Sequence, residues 1–481
     1  MPAEWVTFAF PLTVPLLADF SAVAMTSPAP VAEPAETLTV MGGGLVGCLL
    51  ALYLTRHGHQ VDVFERRPDI RGATPVEARS INLALSDRGW RALEGVGIAE
   101  AVREVAIPMH GRVMHDPAGN LTHQPYGQAG QAIYSVSRAG LNRRMLDLAE
   151  QQPGIRVQFN QQCRRVDVRR QELEMLDVAT GQARTVPYQR LFGADGAYSA
   201  VRGALQRTDR FNYSQHYLDY GYKELTIAAG PDNTWALEKN ALHIWPRGQY
   251  MMIALPNLDG SFNCTLFFPY EGPVSFATLQ TPAQVRDFFA DVFPDAVPLM
   301  PELETEFFDN PTSSLVTVRC FPWTYQHDVL LLGDASHAIV PFYGQGMNAG
   351  FEDCTVLDQL LQQHGRDWGQ IFHEFEVSRK PDADAMADLA VYNFQEMRDR
   401  VADPRFLLQK KIEGKISGQY PDKWLPLYSQ VTFSHLPYAE ALANGQAQEQ
   451  IMQRLMPHIQ TEQDYQRPEV QDLVAQEMAR R

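Results

Sequence analysis

The sequence is sparing with cysteine, short of net positive charge and without a long uninterrupted apolar run, and each shortage removes a class of function. Its five cysteines, Cys48, Cys163, Cys264, Cys320 and Cys354, are widely separated and form no C-x-x-C pair. That spacing argues against a zinc site or a disulfide framework, so reduced thiols in a cytoplasmic protein are expected. Lys and Arg number 41 against 57 Asp and Glu, a formal charge of −16. A broad nucleic-acid or anionic-membrane surface is thereby excluded, and only local basic sites are expected. No apolar run reaches the ~20 residues that span a bilayer. The stretch Phe8–Met25 is apolar, but Pro11 and Pro15 interrupt it and no Lys or Arg precedes it, so it lacks the positive start of a secretory signal. Residues 1–36 are read as a poorly ordered tail, or as residues upstream of a start at Met25, with no function. Ser-His-Asp order, zinc-ligand spacing and a P-loop are all missing, and no metal is expected.

What is present is an ordinary globular composition, 45% hydrophobic and 20% charged over 481 residues, which implies two or three packed units. Folded structure is expected from Thr37, where TLTVM reads as a buried strand running into Gly42-Gly43-Gly44. A helix to His57 follows, Gly58 ends it, and QVDVFE (Gln60–Glu65) alternates as a second strand. The fold class is therefore α/β with a Rossmann-like opening. Strand-like runs at Ala241–Ile244, Tyr250–Leu255 and Asn263–Phe268 predict an antiparallel sheet over 210–320 that serves the substrate. VLLLGD (Val329–Asp334) returns to α/β character and precedes a helix from Asn348. The expected organisation is a dinucleotide-binding domain in two parts, 37–209 and 321–372, with an excursion toward the substrate near 107–130, the sheet domain inserted between, and a helical region over 373–481.

Gly42, Gly44 and Gly47 form G-x-G-x-x-G, and Glu65 closes the second strand. The first glycine permits the tight turn, the second lets backbone approach a pyrophosphate at the positive end of the helix, and the third allows close helix packing. A carboxylate at the end of the second strand accepts ribose hydroxyls and repels a 2′-phosphate, so this site suits FAD or NAD. Two further motifs bear on that choice: Gly193-Ala-Asp195-Gly-Ala-Tyr-Ser-Ala-Val-Arg202, and Gly333-Asp334-Ala-Ser-His337-Ala followed by Pro341 and Gly344-Gln-Gly-Met347-Asn348-Ala-Gly350. His337, beside a glycine-rich loop, is expected to support structure rather than to act as a base.

These motifs resemble the DG and GD motifs of the group A FAD-dependent aromatic monooxygenases, whose fold is of the p-hydroxybenzoate hydroxylase type: a Rossmann-like FAD-binding domain, an inserted antiparallel β-sheet substrate domain and a C-terminal helical region. Longer strings, among them RSINLALSDRG (Arg79–Gly89), IPMHGRVMHD (Ile107–Asp116), QPYG (Gln124–Gly127), YSVSRAGLN (Tyr134–Asn142), LHIWPRG (Leu242–Gly248) and PFYGQGMNAGFEDC (Pro341–Cys354), resemble the kynurenine-hydroxylating branch. The likeness spans Thr37–Phe433. It implies FAD contacts at Gly42, Gly44, Val46, Gly47, Glu65, Arg67, Ala84, Arg138, Cys163, Asp195, Asp334, Met347 and Asn348, with the Cys163 thiol itself carrying no weight. It also implies substrate contacts at Arg112, Tyr126, Asn393 and Tyr428.

The implied activity is NADPH- and O2-dependent hydroxylation of L-kynurenine through a flavin C4a-hydroperoxide, a step of tryptophan catabolism toward quinolinate and NAD. NADPH is implied as a transient co-substrate, since no second G-x-G-x-x-G is present. A group A hydroxylase of another aromatic amine or phenol, and a non-enzymatic FAD-binding protein, carry the same FAD motifs. Eukaryotic members end in an apolar anchor, whereas Glu449–Arg481 is polar, so a cytoplasmic enzyme of bacterial type is expected, as monomer or homodimer.

Overall fold

The computed structural model describes residues 36–72, 81–127, 130–396 and 403–480. The tail expected over 1–36 lies, but for Glu36, outside the described residues.

Thr37–Met41 lies inside a six-stranded sheet, parallel to Gln60–Phe64 on one side and to Leu191–Gly193 on the other. Ile155–Gln158 extends the first side and Val329–Leu331 the second, with a short antiparallel strand, Thr324–Tyr325, at the edge. A parallel sheet is covered on both faces, so its strands are apolar almost throughout. Leu38, Val40, Val61, Val63, Leu191, Phe192 and Val329–Leu331 are all buried. The helix Leu45–Arg56 buries every residue from Gly47 to Leu54 because other helices enclose it, chiefly Arg138–Glu150 and Gly346–His364.

A second sheet has seven strands in the order Ser313–Phe321, Asn212–Ile227, Phe262–Pro269, Met251–Pro256, Ala241–Pro246, Gly111–His115 and Leu121–Pro125. It is antiparallel except where Ala241–Ile244 runs parallel to Gly111–Met114. The hairpin Gly111–Pro125 thus joins a sheet whose other strands come from 212–321. Its alternation permits this: Val113 and His115 are buried on one face, while Arg112 and Met114 turn to the other. The first face packs Trp245, Phe262 and Phe268 against Phe289 and Phe293 of the helical segment around Pro282–Val292. On the opposite side, Met251, Phe267 and Leu315 join a core with Phe342, Tyr343 and Phe394.

The helix Trp368–Gln395, 28 residues long, leads into the C-terminal helices Pro404–Gln419, Leu427–Thr432, Tyr438–Leu455 and Pro468–Ala479. Ile412, Ile416, Trp424, Met452, Leu455, Val470 and Val474 form a separate core there. Among the described residues no helix is long and apolar enough to cross a membrane.

Candidate functional site

The three glycines of the first turn differ in what surrounds them. A Cβ on Gly42, whose φ is +104°, would lie 2.5 Å from the carbonyl oxygen of Ala194, and one on Gly47 would lie 1.9 Å from that of Gly42. These two glycines are required by the protein itself. A Cβ on Gly44 would meet nothing within 4 Å, although Gly44 caps the helix Leu45–Arg56 and provides no side-chain acceptor for its amides. Backbone donors at the positive end of a helix, open on the outside, make the cradle a pyrophosphate needs.

Glu65 is buried beside this turn. Its Oε2 accepts from the Gly43 amide at 2.9 Å, and its Oε1 accepts from the Arg67 amide at 2.9 Å and from Arg67 Nε at 2.8 Å. Burial alone would raise its pKa, but the Arg67 hydrogen bonds and charge together with the Gly43 amide outweigh that and hold the carboxyl below its usual range. The group is ionised and fixed, as a ribose acceptor must be. Asn142 donates to the Gly43 carbonyl at 3.1 Å, and Arg138, one turn earlier on the same helix, is exposed.

The DG and GD turns are joined by one side chain. Arg202 donates to the carbonyls of Ala335 at 2.8 Å and Ala197 at 2.6 Å, so the two motifs hold each other in place. Asp195 accepts from the amides of Ala200 and Val201 through Oδ2, while its buried Oδ1 has no partner. Its pKa is raised by burial, which the Ser199 and backbone hydrogen bonds offset only in part. Cys163 lies near it, its thiol pushed up to about 12 chiefly by burial, so it stays protonated. In the second turn, Asp334 alone is exposed among the residues from Asp328 to Ala338. Gly333 and Gly350 both close on Val46, whose side chain would stand 3.2 Å and 2.7 Å from a Cβ at each.

Asn348 is fully buried: its Nδ2 donates to the carbonyls of Ala84 at 2.8 Å and Gly344 at 2.9 Å, and its Oδ1 accepts from the Ser86 amide at 3.0 Å. Its side chain is thereby committed to clamping the helix Gly346–His364 onto the strand Asn82–Leu85. What it and Met347 offer a flavin is the amides of the helix's first turn, which have no acceptor within the helix. His337 bonds to Asp353 Oδ2 at 2.7 Å, and Asp353 also accepts from the Gly333 amide at 2.9 Å and from Arg379 Nε at 2.9 Å. His337 is tied into the wall behind the turn.

A second cluster lies where the hairpin Gly111–Pro125 meets the helix Leu427–Thr432. Arg112 pairs in register with Leu242 and Gln124, and Tyr126 follows directly, its amide bonded to His110. The Arg112 guanidinium carbon stands 4.5 Å from the ring centre of Tyr428 and 5.1 Å from that of Tyr126, and the two rings stack at 5.5 Å. Among the described residues no carboxylate pairs with Arg112, its Nε has no acceptor, and the buried Tyr126 hydroxyl has no partner either. Burial pushes the Tyr126 phenol well above its ordinary pKa, leaving a neutral donor. Met109, Ile133 and Leu255 line this cluster together with Ala84, Leu242, Ile253 and Phe433. Ala84 belongs to the flavin clamp as well, so the two clusters share a wall.

Asn393 is brought near by a longer route. Its Nδ2 donates to the Phe342 carbonyl at 2.7 Å, and the adjoining Tyr343 stacks on Tyr428 at 5.7 Å. Tyr343 and the buried Gln345, which accepts from Tyr438 at 3.1 Å, receive no role from spacing or motif. Their position inside the PFYGQGMN string was the one available signal. Arg88, described below, is likewise assigned nothing by the sequence.

Residues 35–390 match the family described as FAD binding domain. The kynurenine 3-monooxygenase of Flavobacterium johnsoniae is 53% identical over 437 residues, covering 91% of this chain and 97% of its own. The one from Myxococcus xanthus is 51% identical over 421 residues, covering 87% and 90%. Of solved structures, the tetrameric form of 2-methyl-3-hydroxypyridine-5-carboxylic acid oxygenase matches with a TM-score of 0.64 at 19% identity, over 77% of this chain and 95% of that one, a likeness of fold.

Proposed function

Since the chain belongs to the kynurenine 3-monooxygenase family of FAD-dependent enzymes, we propose that its second cluster seats L-kynurenine for hydroxylation to 3-hydroxy-L-kynurenine, with NADPH and O2 as co-substrates. The observation that carries the substrate assignment is the Arg112 guanidinium, packed against the stacked pair of Tyr126 and Tyr428 rings without a carboxylate of its own. A cation in that position calls for an anionic ligand, because leaving it unpaired away from water costs several kcal/mol. The α-carboxylate of an amino acid supplies the charge and accepts hydrogen bonds from the guanidinium and from the Tyr126 hydroxyl. Tyr428 borders the same cluster, Asn393 is linked to it through Phe342 and Tyr343, and both are assigned further polar contacts to the substrate, while Met109, Ile133 and Leu255 keep the aromatic end dry.

The cofactor residues fit FAD. The open Gly44 cradle and the Leu45–Arg56 amides suit the pyrophosphate, Glu65 the adenosine ribose, Asp334 and the unpartnered Asp195 Oδ1 the polar linker, and the first amides of Gly346–His364 the flavin's electron-rich edge. When bound, FAD carries electrons from NADPH to oxygen and delivers an oxygen atom to the ring. The aniline nitrogen of kynurenine activates its own ortho carbon, so the protein needs no strong nucleophile. Its residues position the ring, exclude water and fix charge. A cytoplasmic location fits the five free thiols, four of them buried.

The test is direct. FAD-loaded protein given NADPH and L-kynurenine in air is expected to oxidise NADPH faster than without the substrate and to yield a product one oxygen heavier that co-elutes with 3-hydroxykynurenine. Loaded protein that does neither, with L-kynurenine or with a panel of anilines and phenols, would refute the assignment.

A further inference from the structure

Tyr428 sits on a helix of six residues, Leu427–Thr432, too short to hold its own shape or direction. Something outside it must fix the ring that stacks over Arg112. Asn444 donates to Gln430 within the helix and Tyr343 stacks on the ring itself, but the C-terminal end is held by Arg88. Arg88, whose side chain is fully buried, donates from Nε to the carbonyl of Val431 at 3.2 Å and from Nη2 to the carbonyl of Leu436. Val431 lies in the last turn of the short helix, where carbonyls have no partner within the helix, and a cation there is favoured by the helix dipole. The guanidinium also rests on the ring of Tyr438, 4.0 Å from its centre.

The other end of Arg88 is anchored to the flavin side. Its Nη1 pairs with Glu352 of the helix Gly346–His364, which Arg379 holds from the far side at 2.8 Å. Two residues earlier, Ser86 donates its amide to Asn348, and its hydroxyl meets Gln345, the residue that also accepts from Tyr438. Ser86–Arg88 therefore touches both the start of the flavin helix and the end of the Tyr428 helix. A second link, the stacking of Tyr343 on Tyr428 at 5.7 Å, reaches the ring itself, whereas Arg88 holds the end of its helix.

We propose that Arg88 is a positioning residue for the reaction: acting from outside the cavity, it caps the Tyr428 helix and so fixes the substrate relative to the flavin edge. This rests on the assignment of Arg112, Tyr126 and Tyr428 to L-kynurenine. A lysine at the position keeps the charge beside Glu352 but cannot reach two carbonyls at once.

FAD-loaded Arg88→Lys and Arg88→Met variants are to be compared with the parent by calorimetric titration with L-kynurenine, normalised to bound FAD, and by product formed per NADPH consumed. Neither quantity depends on the fraction of protein that folds. The expected result is retained FAD, a Kd about tenfold weaker, the loss of one charge-assisted hydrogen bond, and a lower product yield with peroxide making up the difference. Unchanged Kd and unchanged yield would overturn the role of Arg88. If neither variant folds, Tyr438→Leu, which removes the ring beneath the guanidinium along with its hydrogen bond to Gln345, is expected to weaken binding about threefold, and unchanged binding there overturns the proposal. A parent enzyme that does not bind L-kynurenine at all would instead remove the substrate assignment, and this inference with it.

Discussion

The cradle for the dinucleotide and the cavity around Arg112 solve opposite problems. The cradle is built mainly from residues 42–67, and its geometry is enforced by backbone: a Cβ at Gly42 or Gly47 would collide with a carbonyl oxygen, and the Glu65 carboxylate is bonded on both oxygens. The cavity is built from a hairpin near 111–126 and a short helix near 428, and it keeps polar atoms without partners, Arg112 Nε and the Tyr126 hydroxyl. A large ligand of fixed shape is read by backbone; a small charged one is read by side chains that the fold leaves unsatisfied. The first is legible as spacing, the second only as an imbalance of charge.

The contrast can be broken most severely at Arg112. Arg112→Ala should raise the KM for L-kynurenine by about 30- to 900-fold, equivalent to roughly 2–4 kcal/mol, while the flavin spectrum stays that of the parent. Equal kinetics in this variant would mean that the cavity is not the substrate site. A pair of glycine substitutions sharpens the other half. Gly47→Ala should destabilise even the FAD-free protein by about 1–3 kcal/mol, because its Cβ has no room. Gly44→Ala should leave the FAD-free protein within about 0.5 kcal/mol of the parent yet bind FAD less well. Thermal melts with and without FAD decide, and identical behaviour of the two variants would dissolve the distinction between a glycine the fold needs and one the ligand needs.

A further test concerns the buried charges behind the second turn, where Asp353 holds Gly333, His337 and Arg379. Burial opposes ionisation of Asp353, but the charges of His337 and Arg379 outweigh it and bring its pKa from 3.8 to about 2. Because the folded value lies below the unfolded one, the stabilisation is complete above about pH 4 and is lost as pH falls toward 2. It amounts to roughly 2–3 kcal/mol. Denaturant melts between pH 5 and 2 should show this slope in the parent and lose it in Asp353→Asn. A slope unaffected by the substitution would place the acid sensitivity elsewhere.

Much of this was readable in the chain. TLTVM, the three glycines and Glu65 lie within thirty residues, so local pattern alone specifies strand, turn, helix and acid. The structural role expected of His337 fits its bond to Asp353, only sixteen positions away. The substrate residues Arg112, Tyr126, Asn393 and Tyr428 came from family likeness, since nothing in their spacing brings them together. An excursion toward the substrate near 107–130 was expected, but not that Gly111–His115 would pair in parallel with Ala241–Pro246, because a register between distant strands leaves no periodic mark. Arg88 was invisible for the same reason: its partners Glu352 and Val431 stand 264 and 343 positions away.

The sequence by itself determined where a dinucleotide could lie, because the turn, the helix end and the acid are consecutive and their conformations follow from glycine's freedom and helix polarity. Only the tertiary structure decided that a guanidinium would be packed against tyrosine rings without an acid, and that Arg88 would tie one wall of that cluster to the flavin helix. Burial, pairing and the absence of pairing are properties of surroundings, and the surroundings of each of these residues are supplied by parts of the chain hundreds of positions away.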